Sequence, residues 1–206
     1  CLRENDLFKN TWIIFTADHG EMLGDHHMSQ KNLFFEGSAH VPLLIMPPQG
    51  RSLPQNISVE APTDLVDLYP TILAMAGLSS PVSVSGRNLL EPVPMDRIFF
   101  GNSLNRNFCV MEEKLKLVYS AVGDHVLLFD LNTDPMEQHN LAEDPAWQER
   151  KAKLWKLLLE HTAQYTPEAL DENGQFLTYE APHFPGDVPG RWFGFHYHDY
   201  SVDTFH

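Results

Sequence analysis

The sequence predicts a mixed α/β fold made of two unlike parts and a tail. Three observations predict it. Two short, almost wholly apolar runs, residues 11–16 and 40–47, have the composition of strands buried on both faces, as in a parallel sheet. Between residues 63 and 77 the apolar residues recur at helical spacing. After residue 96 the pattern changes to four short β-rich runs with turn residues between them, followed by one long helical stretch. Residues 1–95 are therefore expected to form a portion of a sheet-and-helix α/β domain. Residues 96–165 are expected to form a small α+β subdomain with an antiparallel sheet, and residues 166–206 an irregular C-terminal tail.

Each element has a local reason. Residues 2–9 read as the end of an amphipathic helix, with Leu2, Leu7 and Phe8 as packing positions and Lys9-Asn10 as its stop. Residues 11–16 form the first strand, and Asp18 falls just past its C-terminal end, the edge where open α/β sheets bind ligands. Residues 40–47 form the second strand, closed by Pro47 and Pro48. Leu65, Leu68, Ile72 and Ala76 lie near one helical face. Pro70 interrupts them, so a short turn is expected first and then a helix starting near Pro70, with Gly77 just beyond its end. Residues 79–94, rich in Ser, Pro and Gly, read as a loop and boundary. Strands are expected at 97–100, 108–111, 115–119 and 126–130, with a hairpin turned around Gly123. Asp144 then reads as an N-cap with Pro145 at the first helical position. Trp147, Lys151, Leu154, Leu158, His161 and Tyr165 follow at helical spacing, giving a helix that covers one face of the sheet.

Composition limits the partners. Hydrophobic residues make up 43% of the 206 and charged residues 20%, a globular balance. The net charge of −14 argues against nucleic acid and against an anionic membrane surface. An anionic small molecule stays compatible, because one lysine and a cation can hold it locally. No apolar run approaches the roughly 20 residues of a membrane span. The two cysteines, Cys1 and Cys109, make no disulfide framework and have no zinc-site spacing. The chain opens on Cys-Leu-Arg-Glu-Asn without Met, as expected of a cut through a longer protein.

The chemistry concentrates in residues 16–31, TADHGEMLGDHHMSQK. Asp18 and His19 offer a carboxylate and an imidazole side by side, a pair that suits a divalent cation of intermediate hardness: manganese, zinc, magnesium or calcium. The plainer reading is that Asp18 caps the following turn and His19 is a satisfied loop histidine. Lys31 reads either as an anion contact or as an ordinary solvated lysine. His26 and His27 follow within a few residues, and Glu36 can pair with His40 and hold the loop between them.

The segment DHGEMLGDHHMSQK, residues 18–31, resembles a signature of the sulfatase family, within the alkaline-phosphatase-like superfamily. Related segments occur in the phosphonate monoester hydrolases and phosphodiesterases of that superfamily. Three more stretches are similar in family order: FEGSAHVPL at 35–43, DLYPTIL at 67–73 with Ala76-Gly77, and LFDLNTDPMEQHNL at 128–141. The resemblance implies that residues 1–95 are the C-terminal portion of the alkaline-phosphatase-like catalytic α/β domain. It implies that Asp18 and His19 are two ligands of one divalent metal ion. Calcium is the family's usual ion, and His19 where many members carry Asn leaves manganese, magnesium or zinc open. Lys31 corresponds to the lysine that contacts the sulfate or phosphate group, and His26 is the candidate proton donor to the leaving group. The family's nucleophile, a formylglycine made from Cys or Ser in Cys-x-Pro-x-Arg, has no counterpart at Cys1 or Cys109.

The resemblance thus implies the C-terminal segment of a metal-dependent sulfatase acting on a small-molecule or saccharide sulfate ester, inactive by itself. A phosphonate monoester hydrolase or phosphodiesterase of the same superfamily is the first alternative, and a binding or structural module that has lost catalysis is the second. In the tail, Arg191 and the aromatics of residues 185–198 suit substrate recognition or an oligomer contact, or simply cover a sheet edge.

Overall fold

The computed structural model describes residues 1–28, 30–31, 33–51 and 58–180, the side chain of His27 excepted. The chain divides into two compact units, Cys1–Asp18 with Val41–Arg97, and His19–His40 with Ile98–His206.

In the first unit, strand β1 (Ile13–Thr16) pairs with β2 (Leu43–Met46), Ile13 opposite Met46 and Phe15 opposite Leu44. The pairing is antiparallel, where a parallel sheet buried on both faces was expected. Phe15 is 61% exposed and Leu44 59%, so one face of this ribbon is open. An apolar run specifies a strand but not the direction of its partner, which distant residues decide. Residues 2–9 also differ from expectation. They form turns and a short 3₁₀ helix, Leu7–Lys9, with no buried residue to hold a longer helix.

Helix α2 (Leu68–Met75) is preceded by a 3₁₀ turn, Leu65–Asp67, opened by an Asp64 capping box. The helix starts two residues before Pro70. A proline so near the start loses only an N–H that has no intrahelical partner. Gly77 ends it in the left-handed region at φ +72°, and the Leu78 N–H closes onto the Leu73 carbonyl at 2.8 Å. The interior here is polar. Asp67 is fully buried, pairs with the Arg97 guanidinium, and accepts the Arg87 N–H at 2.7 Å. Thr71, also buried, donates to the Asp67 carbonyl at 2.6 Å and accepts the Leu89 N–H at 2.9 Å.

The second unit is built on a four-stranded antiparallel sheet in sequence order: β3 (Phe99–Ser103), β4 (Asn107–Glu112), β5 (Leu115–Ser120) and β6 (His125–Asp130). Helix α3 (Gln148–Tyr165) follows a 3₁₀ turn, Pro145–Trp147, and Asp144 caps the turn by accepting the Ala146 N–H at 2.9 Å. The expected strands, the Gly123 hairpin and the Asp144-Pro145 helix start are all present.

The two faces of this sheet carry different cores, as period-two alternation requires. Phe108, Val110, Leu117, Tyr119 and Leu128 meet Leu154 and Leu158 of α3. Cys109, Val118, Leu127 and Phe129 point the other way and meet Met22, Met28, Leu33 and Phe35. Residues 19–40, which carry the candidate chemistry, therefore lie on the second face. Beyond α3, Phe176 returns to the first core and Tyr179 bridges to Val122. Residues 181–206, Arg191 among them, lie outside the described residues.

Candidate metal and anion site

Asp18 is exposed and follows β1 directly, at the end of the first segment of its unit. His19 opens the second unit. From here the backbone is tightly constrained. A Cβ on Gly20 would lie 2.1 Å from the Gly37 carbonyl oxygen, so only glycine fits this close approach. The Gly20 N–H donates to the Ser38 carbonyl at 2.7 Å and the Glu21 N–H to the Gly37 carbonyl at 3.0 Å. Leu23, His26 and Gln30 all have positive φ, at 49°, 52° and 72°. Such a concentration of uncommon backbone around one loop marks a segment over-determined by its surroundings.

The structure brings Lys31 and His19 together. The exposed Lys31 ammonium donates to His19 Nε2 at 2.8 Å, and His19 Nδ1 lies 2.7 Å from the Gly20 carbonyl oxygen. An ammonium can only donate, so Nε2 is the accepting nitrogen and Nδ1 carries the proton given to Gly20. That is how a metal-binding histidine is usually held, one nitrogen fixed on a carbonyl and the other turned outward with its lone pair. His26 is seated differently. Its half-buried ring stacks on Phe35, with centroids 4.2 Å apart and planes at 22°.

The loop is carried by a one-turn helix, α1 (Glu36–Ala39). Buried Ser38 donates to the Lys31 carbonyl at 2.6 Å, and Glu36 pairs with His40 at 2.7 Å, as the sequence had suggested. Sequence reasoning missed the anchor beneath it. Lys116 of β5 is only 3% exposed and donates to the Phe34 carbonyl and Glu137, each at 2.9 Å, and to Glu36. Burial works against charge on all three groups. The two carboxylates nevertheless hold the Lys116 pKa above its ordinary value. At Glu36 burial is outweighed by Lys116 and His40, which pull its pKa down. At Glu137 burial prevails over Lys116, and its pKa is raised. The signal was present in β5, where Lys116 shares a strand face with Val118.

Cys109 is no nucleophile here, because burial pushes its thiol pKa up to about 12. A cavity of about 270 Å³ lined by Phe100, Asn102, His161 and Tyr165 opens on the α3 side of the sheet, and among the described residues none of the candidates lines it. Among the described residues no three His, Cys, Asp or Glu side chains cluster closely enough to hold a metal ion alone. None of the helices is long and apolar enough to cross a membrane, again among the described residues.

The sequence matches the family model for Sulfatase over residues 1–78. Arylsulfatase K of Xenopus laevis is 34% identical over 162 residues, which is 69% of this chain and 30% of that protein. The chain thus spans about a third of the length of the curated relatives it matches. The crystal structure of the phosphonate monoester hydrolase of Agrobacterium radiobacter is similar at TM-score 0.63 and 31% identity, over 84% of this chain and 40% of that one. A protein solved in complex with its substrate D-glucosamine-2-N,6-O-disulfate shares the fold at TM-score 0.62 and 23% identity, over 81% of this chain and 37% of that one. The sheet, the loop 19–40 that it carries and these likenesses agree: the chain belongs to the sulfatase family, within the alkaline-phosphatase-like superfamily.

Proposed function

We propose that this chain supplies part of the metal and sulfate site of a sulfatase that hydrolyses sulfate esters of small molecules or saccharides. The observation that carries the reading is the Lys31–His19 contact at 2.8 Å, inside the segment that the family model matches. Members of the family generally use one divalent metal. The donor set fits such an ion in kind: Asp18 gives a hard carboxylate, and His19 an imidazole whose Nδ1 is fixed on the Gly20 carbonyl. Imidazole leans the choice from calcium toward manganese or zinc. Two donors do not fill a coordination shell, so further ligands must come from beyond these two residues.

The bound ion would supply Lewis-acid polarisation of the sulfate oxygens. Lys31 would hold the same oxygens as a point charge, stronger on the transition state, where negative charge builds up. His26, half-buried and steadied by Phe35, would give its proton to the departing alkoxide oxygen. Coordination through Nε2 and acceptance of the Lys31 proton use one and the same lone pair of His19. Were His19 to hold the cation through Nε2, Lys31 would be free of that contact and available to an anion. The nucleophile is not among these residues, so the chain alone is expected to show no turnover.

Calorimetric titration of sulfate into the chain tests the core of the reading. Lys31→Ala is expected to weaken sulfate binding about tenfold or more, the worth of one charged hydrogen bond. Unchanged affinity would remove Lys31 from the site. The likeness to a phosphonate monoester hydrolase at 31% identity favours one second reading, the same site acting on phosphonate or phosphate esters. Parallel assays of the enzyme containing this chain on aryl sulfate, phosphonate monoester and phosphodiester separate the two. A dominant rate on either phosphorus ester would overturn the sulfatase assignment.

A further inference from the structure

Lys116 is the charged residue of β5, a strand whose six residues are all buried. Its three N–H donors are all used, on the Phe34 carbonyl, Glu36 and Glu137. Glu137 accepts a second bond, from the Glu36 N–H at 2.7 Å. Both charged contacts thus fasten one short piece of chain, residues 34–36, where α1 begins. From that turn, bonds run to both halves of the candidate site. Ser38 Oγ grips the Lys31 carbonyl, while the Ser38 and Gly37 carbonyls receive the N–H groups of Gly20 and Glu21 beside His19. These directed bonds carry the position of β5 to Lys31 and His19, beside the non-directional apolar packing of Met28, Leu33 and Phe35 on the same sheet face.

A buried ion cluster is a poor choice for stability alone. Replacing such groups by apolar residues of similar volume is often neutral or stabilising, because charges lose their hydration on burial. What an ionic cluster adds is geometry, since each carboxylate oxygen accepts from a fixed direction. We propose that Lys116 is a positioning residue for the Lys31–His19 pair: with Glu36 and Glu137 it anchors α1 to β5, and α1 sets where Lys31 and His19 stand. The consequence for anion binding rests on the reading of Lys31 given above. The anchoring itself does not.

The test uses the whole chain with Lys116→Met, which keeps the volume and removes the charge. Amide hydrogen exchange is followed at Gly20, Glu21 and Ser38, and separately at Cys109 and Val118 inside the sheet. Selective loss of protection at the first group, with the sheet amides unchanged, is expected. Sulfate affinity, measured where the variant is still folded, is expected to fall about 10- to 100-fold, the usual cost of removing a supporting contact. Glu137→Gln, a milder change that keeps the Glu36 contact, should move both readouts the same way by less, and it decides the matter if Lys116→Met does not fold. Protection lost evenly across the unit, or sulfate affinity within about twofold of the parent in the folded variants while Lys31→Ala still weakens it, would overturn the proposal. If Lys31→Ala itself leaves sulfate binding unchanged, the anion reading fails. The exchange pattern then still decides the anchoring.

Discussion

His161 shows how a single ring can tie stability to pH. It stacks on Phe100 with centroids 3.9 Å apart and planes only 3° from parallel. Burial lowers its pKa below the ordinary 6.5. Between the folded pKa and 6.5 the unfolded chain therefore binds more protons than the folded one. Stability rises with pH across that window, so this contribution is lost as pH falls below about 6.5. His161→Phe keeps an aromatic face on Phe100 and removes the titrating group. The variant should lose less stability than the parent between pH 7 and pH 5, read as the shift in urea midpoint. Equal shifts in the two proteins would show that His161 does not couple protonation to folding. The same scale shows what a sequence can reveal. Lys31, Asp18 and His19 are close in sequence and stand out as a local pattern. Lys116 meets Glu36 and Glu137 across 80 and 21 residues, and no local pattern can pair them.

Elements were legible where their causes are local. The start of α3 follows from two adjacent residues, Asp144 as cap and Pro145 after it, and the structure has both. Removing the cap tests that cause directly. Asp144→Ala strands the Ala146 N–H, and a lost N-cap costs about 0.5–2 kcal/mol. Asp144→Asn, which still accepts that bond, should recover most of the loss. A chemical-denaturation midpoint that ignores both changes would place the helix start under tertiary control instead. The four strands of the second unit were also readable, because each is a short β-rich run set off by turn residues. The direction of β1 against β2 was not. Both runs are apolar enough for either arrangement, and their pairing joins residues some thirty positions apart (Phe15 with Leu44).

At the scale of the molecule the two units are held by different means. In the second, two apolar cores enclose the sheet, and nearly every buried apolar residue described belongs to them. In the first, Pro48 and Ala61 are the buried apolar residues among those described, and the interior is the Asp67–Thr71–Arg97 knot. Apolar burial is the dominant favourable contribution to folding, whereas hydrogen-bonded polar groups yield little beyond what water gave them. Phe15, Leu44 and Met46, at 61%, 59% and 40% exposure, add almost nothing to the stability of β1 and β2. Opening of the first unit should therefore cost less than opening of the second. Native-state hydrogen exchange would show this directly. The ladder amides of β1 and β2 are expected to exchange at least about tenfold faster, after correction for intrinsic rates, than those of β4 and β5, a gap of about 1.4 kcal/mol. Trp12 in the first unit and Trp155 in the second give independent reporters of the same order of events. Equal opening free energies across both units would mean that the polar knot and the apolar cores are worth the same, against the reasoning from burial.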